Sequence, residues 1–392
     1  MPALDMAWLR RRGGGFVVLG ALGWVAMGIG FAVDVRRSFY AYLTAYTWTV
    51  ALAVGALCFL AIVNAMNATW PVAVRRLAEG LAATLPLFAV LFVPIFVGMS
   101  RLYPWLTPEL FRDARAHDLI MHRRAYYNVP FYVVRWAIIF AVWCVFAWLF
   151  RAWSLQQEHG QGETLRHRLC VTGAAALIPL GITLSVASFD WLMSLEPTWY
   201  STIYGLYFLS GCMLGGAALV SVVAVIVRRV DAVAQLQPSH FHALGRVLLA
   251  FTALWGYLAF FQYMLIWIAN RPREGEWFVH RAAGSWRAVS IALVVGHFVV
   301  PFMLLLSYRL KRMPGFLLLL GLWIIAFRYV EAYWLVIPAY WHLTARPSWI
   351  DLAAMCALLG SSGACAVWLL RRRPLFPVGD PALARALKYD AQ

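Results

Sequence analysis

Three ionisable side chains stand inside long apolar runs of this sequence. Arg328 and Glu331 are three residues apart, so one face of a helix carries both. Such a pair either neutralises itself or holds a carboxylate for proton relay or ligand contact. His297 lies in the apolar run before them, and its titration near neutral pH suits a proton carrier or a donor to a quinone carbonyl. The alternative for His297 is a hydrogen bond to a neighbouring helix.

A short polar island from Ser188 to Ser201 separates two apolar runs near the middle of the chain. Asp190 follows a long apolar run, so its carboxylate could accept a proton and pass it outward. Glu196 precedes Pro197, which suits the first turn of the next helix, where a carboxylate is favoured by the helix dipole. The alternative is that both carboxylates are interfacial residues in water.

A polar pair interrupts another apolar run, from Leu258 to Ile268. It consists of Gln262 and Tyr263, and a polar mouth with Asn270 follows. This position makes both side chains candidates for ligand or proton contact. For Gln262 the alternative is a hydrogen bond between helices.

The composition indicates that lipid surrounds the chain. Of its 392 residues, 63% are hydrophobic and 13% are charged, whereas about a quarter of a soluble domain is charged. Apolar runs of about 20 residues recur, and backbone groups in lipid must bond within the chain, so these runs indicate helices rather than barrel strands. We therefore predict an all-α integral membrane protein in which residues 1–392 form one polytopic domain. The predicted spans are 15–33, 46–66, 81–101, 131–151, 169–190, 200–227, 246–269, 288–308, 315–338 and 350–370.

The basic residues predict the orientation. The net charge is +16, but Lys and Arg lie in short loops, where topology explains them, so we expect anionic lipid rather than nucleic acid as a partner. Alternate loops carry 19 and 12 of these residues, which places both termini in the cytoplasm. The first apolar run is expected to be an uncleaved span. The loops 102–130 and 270–287 are basic for an outer side, so we expect them to dock a partner protein.

No cofactor motif is present in the sequence. The six cysteines are isolated in apolar segments, without iron–sulfur or covalent haem spacing. All histidines except His297 lie in or near loops, so two facing spans offer no haem ligands. We expect this chain to bind no metal and no redox centre of its own.

Four motifs, in order between residues 185 and 340, resemble one family. They are Phe189–Pro197 (FDWLMSLEP), Gln262–Asn270 (QYMLIWIAN), His297–Phe302 (HFVVPF) and Tyr333–Pro338 (YWLVIP). This set is similar to the larger quinone-binding-type membrane subunit of bacterial alternative complex III, a quinol:cytochrome c oxidoreductase. The resemblance implies a fold like that of the NrfD and PsrC subunits, with two four-helix bundles and two further helices.

The resemblance also implies a role in a multisubunit complex of the bacterial inner membrane. The chain would contribute a proton path, a contact to menaquinol or ubiquinol, or both, without being catalytic alone. Implied partners are a homologous membrane subunit, an outer-side iron–sulfur subunit, haem c subunits and a terminal oxidase. The site residues would then be Asp190, Glu196, His297, Arg328, Glu331, Gln262 and Tyr263.

The sequence departs from this family pattern at three positions. The family often has histidine at position 198, where threonine stands, and aspartate at position 243, where alanine stands. Glu331 replaces a frequent aspartate and keeps the carboxylate. Two other function classes stay open: a secondary transporter or ion channel, which would show broken helices in matched halves, and a purely structural membrane anchor.

Overall fold

The computed structural model describes residues 6–111, 114–157, 162–228, 236–341, 344–372, 375–377 and 379–390. The described residues form helices and connections, with no strand among them. Among the described residues, ten helices are long and apolar enough to cross a membrane, which confirms the predicted all-α membrane architecture. They are α1 (Gly13–Val33), α2 (Val35–Ala65), α3 (Val72–Val97), α4 (Val129–Gln156), α5 (Gly162–Leu195), α6 (Tyr204–Val227), α7 (Pro238–Ala269), α8 (Trp286–Leu306), α9 (Pro314–Ala339) and α10 (Trp349–Leu370).

The start of α7 shows why helix boundaries were harder to predict than helices. The predicted span begins at residue 246, but the helix begins at Pro238. Proline suits a first helical position, and Gln237 and His240 form a reciprocal capping box around it. Hydropathy does not detect this cap, because the first two turns contain polar residues.

Helix contacts divide the spans as the resemblance implied. Helices α2 to α5 form one four-helix bundle, α6 to α9 form a second, and α1 pairs with α10 beside α2. The bundles meet where α2 crosses α6. A Cβ on Gly55 would lie 1.9 Å from the Cys212 carbonyl oxygen, so only glycine permits this approach.

Two spans are irregular. Pro86 and Pro94 interrupt α3, and tyrosines of α2 bond to carbonyl groups of the interrupted segment. The Tyr42 hydroxyl donates to the Leu91 carbonyl at 2.6 Å, and Tyr46 donates to the Phe88 carbonyl at 2.8 Å. A neighbouring helix thus satisfies backbone groups that proline leaves free in a membrane. In α8, residues Leu293–Val299 form a π-helix.

A surface helix, Pro272–Ala282, follows α7 and lies over the end of the second bundle. Asn270 ends α7 in the left-handed region at φ 46°, a conformation that asparagine tolerates better than most residues. The chain therefore turns sharply and returns across the bundle end. This turn brings Trp277 and Arg281 into buried positions.

Candidate functional site

A buried cluster of four side chains lies inside the second bundle. On α9, Arg328 and Glu331 face the same way, and the Arg328 guanidinium donates to Glu331 Oε2. From α7, Trp255 Nε1 donates to Glu331 Oε1 at 2.9 Å. From α8, His297 Nε2 lies 3.5 Å from Glu331 Oε2. We call these four residues the Glu331 cluster; the sequence predicted three of them.

The arginine of this cluster occupies space that α6 leaves open. A Cβ on Gly211 would lie 2.1 Å from an Arg328 Nη atom, and one on Gly215 would lie 3.6 Å from Arg328 Cγ. Glycine at position 211 makes room for the side chain, whereas a Cβ at position 215 would be in ordinary contact with it. The buried guanidinium can therefore reach Glu331, and each charge offsets the cost of burying the other.

The His297 side chain packs mainly against aromatic rings. Its imidazole centroid lies 4.4 Å from that of Trp255 and 6.2 Å from that of Phe327. Neither imidazole nitrogen makes a hydrogen bond to a described residue. The π-helix widens the α8 backbone at this turn, and Trp323 Nε1 donates to the Gly296 carbonyl at 2.7 Å. Such π-bulges are frequent at functional sites.

A cavity of about 1050 Å³ lies beside the cluster, between α7, α8 and the surface helix. Its wall is mainly apolar, with Phe260, Ile266 and Phe302 among the lining residues. The lining also includes Trp255, whereas Glu331 and His297 are not part of it. The Trp255 indole therefore stands between the cavity and the Glu331 carboxylate.

Both predicted polar residues of α7 line this cavity. Gln262 is 3% exposed, and its Oε1 has no hydrogen-bond partner among the described residues. Tyr263 is 47% exposed, and its ring packs edge-on against Phe278 of the surface helix at 5.3 Å. Gln262 is thus a buried acceptor without a partner in the part of the chain that the structure describes, whereas Tyr263 lies at the rim.

Glu196 reaches the same cavity through Arg281, which was not among the predicted site residues. The buried guanidinium of Arg281 lines the cavity and donates to Glu196 Oε1 at 3.0 Å. It also donates to the carbonyls of Trp277 and Trp334. Burial lowers the pKa of Arg281, and the Glu196 carboxylate opposes this shift. Nothing in the sequence distinguishes Arg281 from the other arginines of the loops, so it was not predicted as a site residue.

Asp190 lies apart from the other predicted site residues, in the first bundle. Arg135 Nε donates to Asp190 Oδ2 at 2.7 Å, and the Tyr126 hydroxyl donates to Oδ1 at 2.9 Å. Burial and the carboxylate both raise the pKa of Tyr126, which keeps the phenol protonated as a donor. The Asp190 side chain therefore ties the end of α5 to α4.

Two further arginines of the described residues form buried ion pairs that were not predicted. Arg37 of α2 donates to Asp351 at the start of α10. Arg75 of α3 lies 2.6 Å from Asp380 and 3.2 Å from Glu79. In the sequence, both arginines look like ordinary loop residues. Arg37–Asp351 and Arg75–Asp380 join elements that are distant in the chain.

No protein-family model and no curated protein matches this chain. Among the described residues, no group of three or more His, Cys, Asp and Glu side chains could hold a metal ion.

Proposed function

We propose that this chain is a membrane subunit of a quinol-oxidising electron-transfer complex, of the alternative complex III type. In this proposal the cavity between α7 and α8 takes a quinol head group, and the Glu331 cluster carries protons. The observation that carries the proposal is a large apolar cavity separated by one indole from a buried carboxylate, arginine and histidine.

The size and lining of the cavity support quinol as the ligand. Ligand pockets of about 300–1,000 Å³ hold drug-sized molecules and combine apolar walls with a few polar groups. Here the polar groups of the lining include Tyr207, Gln262 and Arg281. The unpartnered Gln262 Oε1 could accept a hydrogen bond from a quinol hydroxyl.

The arrangement of the Glu331 cluster supports a proton-carrying role. Oxidation of a quinol to a quinone releases two electrons and two protons. The electrons would pass to a redox centre of a partner subunit. Glu331 and His297 are ionisable and in contact. We infer that they conduct protons behind the cavity wall. The Trp255 indole N–H donates but does not accept, so a proton released by quinol would pass beside the indole rather than through it.

Exposed charge supports a partner on the predicted outer side. Arg124, Arg271, Arg273 and Arg287 are exposed on the loops that flank α4, α7 and α8. Arginine on a translocated side is disfavoured by topology, so its presence there favours a binding role. Carboxylates of an acidic redox protein would suit guanidinium groups, which bind them in bidentate geometry.

The test is quinol-dependent turnover of the purified complex carrying Glu331→Gln. We expect turnover to fall at least about tenfold with the complex intact, because glutamine keeps the shape but cannot carry a proton. The matched control is Glu163→Gln, since Glu163 is exposed at the start of α5. This chain should co-purify with haem c and iron–sulfur proteins.

Other outcomes distinguish the remaining function classes. Unchanged turnover in Glu331→Gln would leave the chain as a structural anchor. Purification without redox partners, together with proton-coupled solute uptake by the chain in vesicles, would identify a transporter instead. Either result would overturn the proposal.

A further inference from the structure

A group of basic side chains without an assigned role lies near the N-terminal end of α7, beside the connection between α8 and α9. The connection contains the short helix Tyr308–Lys311. Lys311 is 7% exposed, and its aliphatic stem packs so closely on α7 that a Cβ on Gly245 would lie 2.7 Å from Lys311 Cγ. His242 and Arg246 are four residues apart on α7, so they flank this contact on one face.

Four basic residues meet at this contact: His242, Arg246, Lys311 and Arg312. We call them the cationic cluster. Within the described residues, no carboxylate forms an ion pair with Lys311 or with either arginine. His242 is 6% exposed and packs against the Tyr308 ring at 4.6 Å, and its Nδ1 has no hydrogen-bond partner among the described residues. The cluster thus gathers positive charge without a counter-charge in the part of the chain that the structure describes.

This arrangement is unfavourable by itself. Burial and the neighbouring Arg246 lower the pKa of the Lys311 ammonium group. A buried cation normally has an anionic partner, because desolvation otherwise disfavours the charged form. An external anion would remove the repulsion and satisfy the free imidazole nitrogen.

We propose that the cationic cluster binds the phosphate group of an anionic phospholipid. Beside the cluster, the ends of α8 and α9 expose Met303, Leu306 and Met313, each more than half exposed. These side chains suit acyl chains, so the site fits a lipid better than free phosphate. Basic pockets between membrane helices bind such head groups. The inference does not depend on the quinol proposal.

Amine acetylation of the purified protein tests this inference directly. The chain contains two lysines, Lys311 and exposed Lys388, so Lys388 is an internal control. At pH 8, phosphatidylglycerol in mixed micelles should slow Lys311 acetylation at least about tenfold, the effect of one pKa unit on the neutral amine. Lys388 acetylation should be unchanged, and phosphatidylcholine should protect neither lysine.

Two results of the acetylation experiment would overturn the inference. Equal protection by phosphatidylglycerol and phosphatidylcholine would show that charge plays no part. Protection by millimolar inorganic phosphate that matches phosphatidylglycerol would assign the site to a free anion.

Lipid retention in native mass spectrometry gives a second test with variants that should fold. Arg246→Gln should lower phosphatidylglycerol retention about fivefold. Arg309→Gln, which removes an exposed charge from the same connection, should leave retention unchanged. Equal retention in the two variants would contradict the inference. Asp231 lies outside the described residues; phosphatidylglycerol retention that is absent from the unmodified protein and appears only in Asp231→Asn would assign the cluster to that carboxylate and overturn the inference.

Discussion

Replacing Gly211 with alanine should break the ion pair between Arg328 and Glu331. The new Cβ would lie 2.1 Å from an Arg328 Nη atom, far inside contact distance. The guanidinium is the end of a flexible side chain and can move away. Moving away takes the guanidinium from the Glu331 carboxylate, so we expect the cost to be that of the pair rather than of a backbone clash.

The magnitude follows from two opposing effects. Separating a buried ion pair costs about 3–5 kcal/mol when one charge is left without its partner. Alanine in place of glycine within a helix contributes about 0.5–1 kcal/mol in the stabilising direction. We therefore expect Gly211→Ala to lower the free energy of unfolding by about 2–4 kcal/mol.

The assay is reversible unfolding in mixed micelles of detergent and denaturing detergent. Gly181→Ala is the matched control, because Gly181 lies within α5 and a Cβ there would meet nothing within 4 Å. In the background Arg328→Met/Glu331→Gln, which has no pair to break, Gly211→Ala should cost less than about 1 kcal/mol. Equal stability of Gly211→Ala and Gly181→Ala would refute the reasoning.

Three further predictions concern the other contacts. Trp255→Phe leaves Glu331 Oε1 without its donor, so we expect a loss of about 1–3 kcal/mol in unfolding free energy and lower quinol turnover; unchanged values for both would count against the cluster. Arg135→Met should cost about 3–5 kcal/mol because Asp190 would stay buried without a counter-charge, keeping only the Tyr126 hydrogen bond, whereas the double variant with Asp190→Asn should recover most of this loss; failure to recover would contradict the pairing. Gln262→Leu should raise the quinol KM about fivefold with little change in kcat, the signature of lost binding; an unchanged KM would exclude Gln262 as a ligand contact.

The spans could be predicted from the sequence because lipid imposes length and apolarity on every crossing helix. The contact of Arg328 with Glu331 was also predictable, since a three-residue spacing within one helix fixes the geometry. The meeting of His297 with Glu331 was not, because it depends on the register of α8 against α9. His297 lies within a π-helix, which changes the direction of side chains along α8, and hydropathy does not reveal it.

Trp255 was missed because tryptophan is abundant in this chain. The chain has 20 tryptophans, so Trp255 could not be told from lipid-facing aromatics before its hydrogen bond to Glu331 was seen.

Asp190 and Glu196 are close in sequence and looked like one site. Their side chains point to different bundles because the turn Met193–Leu195 separates them, leaving one beside Arg135 and the other beside Arg281.

Photoaffinity labelling of the intact complex with an azidoquinol tests the central proposal most directly. We predict labelled peptides from α7 between Trp255 and Ile266 and from the surface helix Pro272–Ala282, with labelling suppressed by excess unmodified quinol. Labelling confined to partner subunits, or labelling of this chain that excess quinol does not suppress, would contradict a quinol site in the cavity.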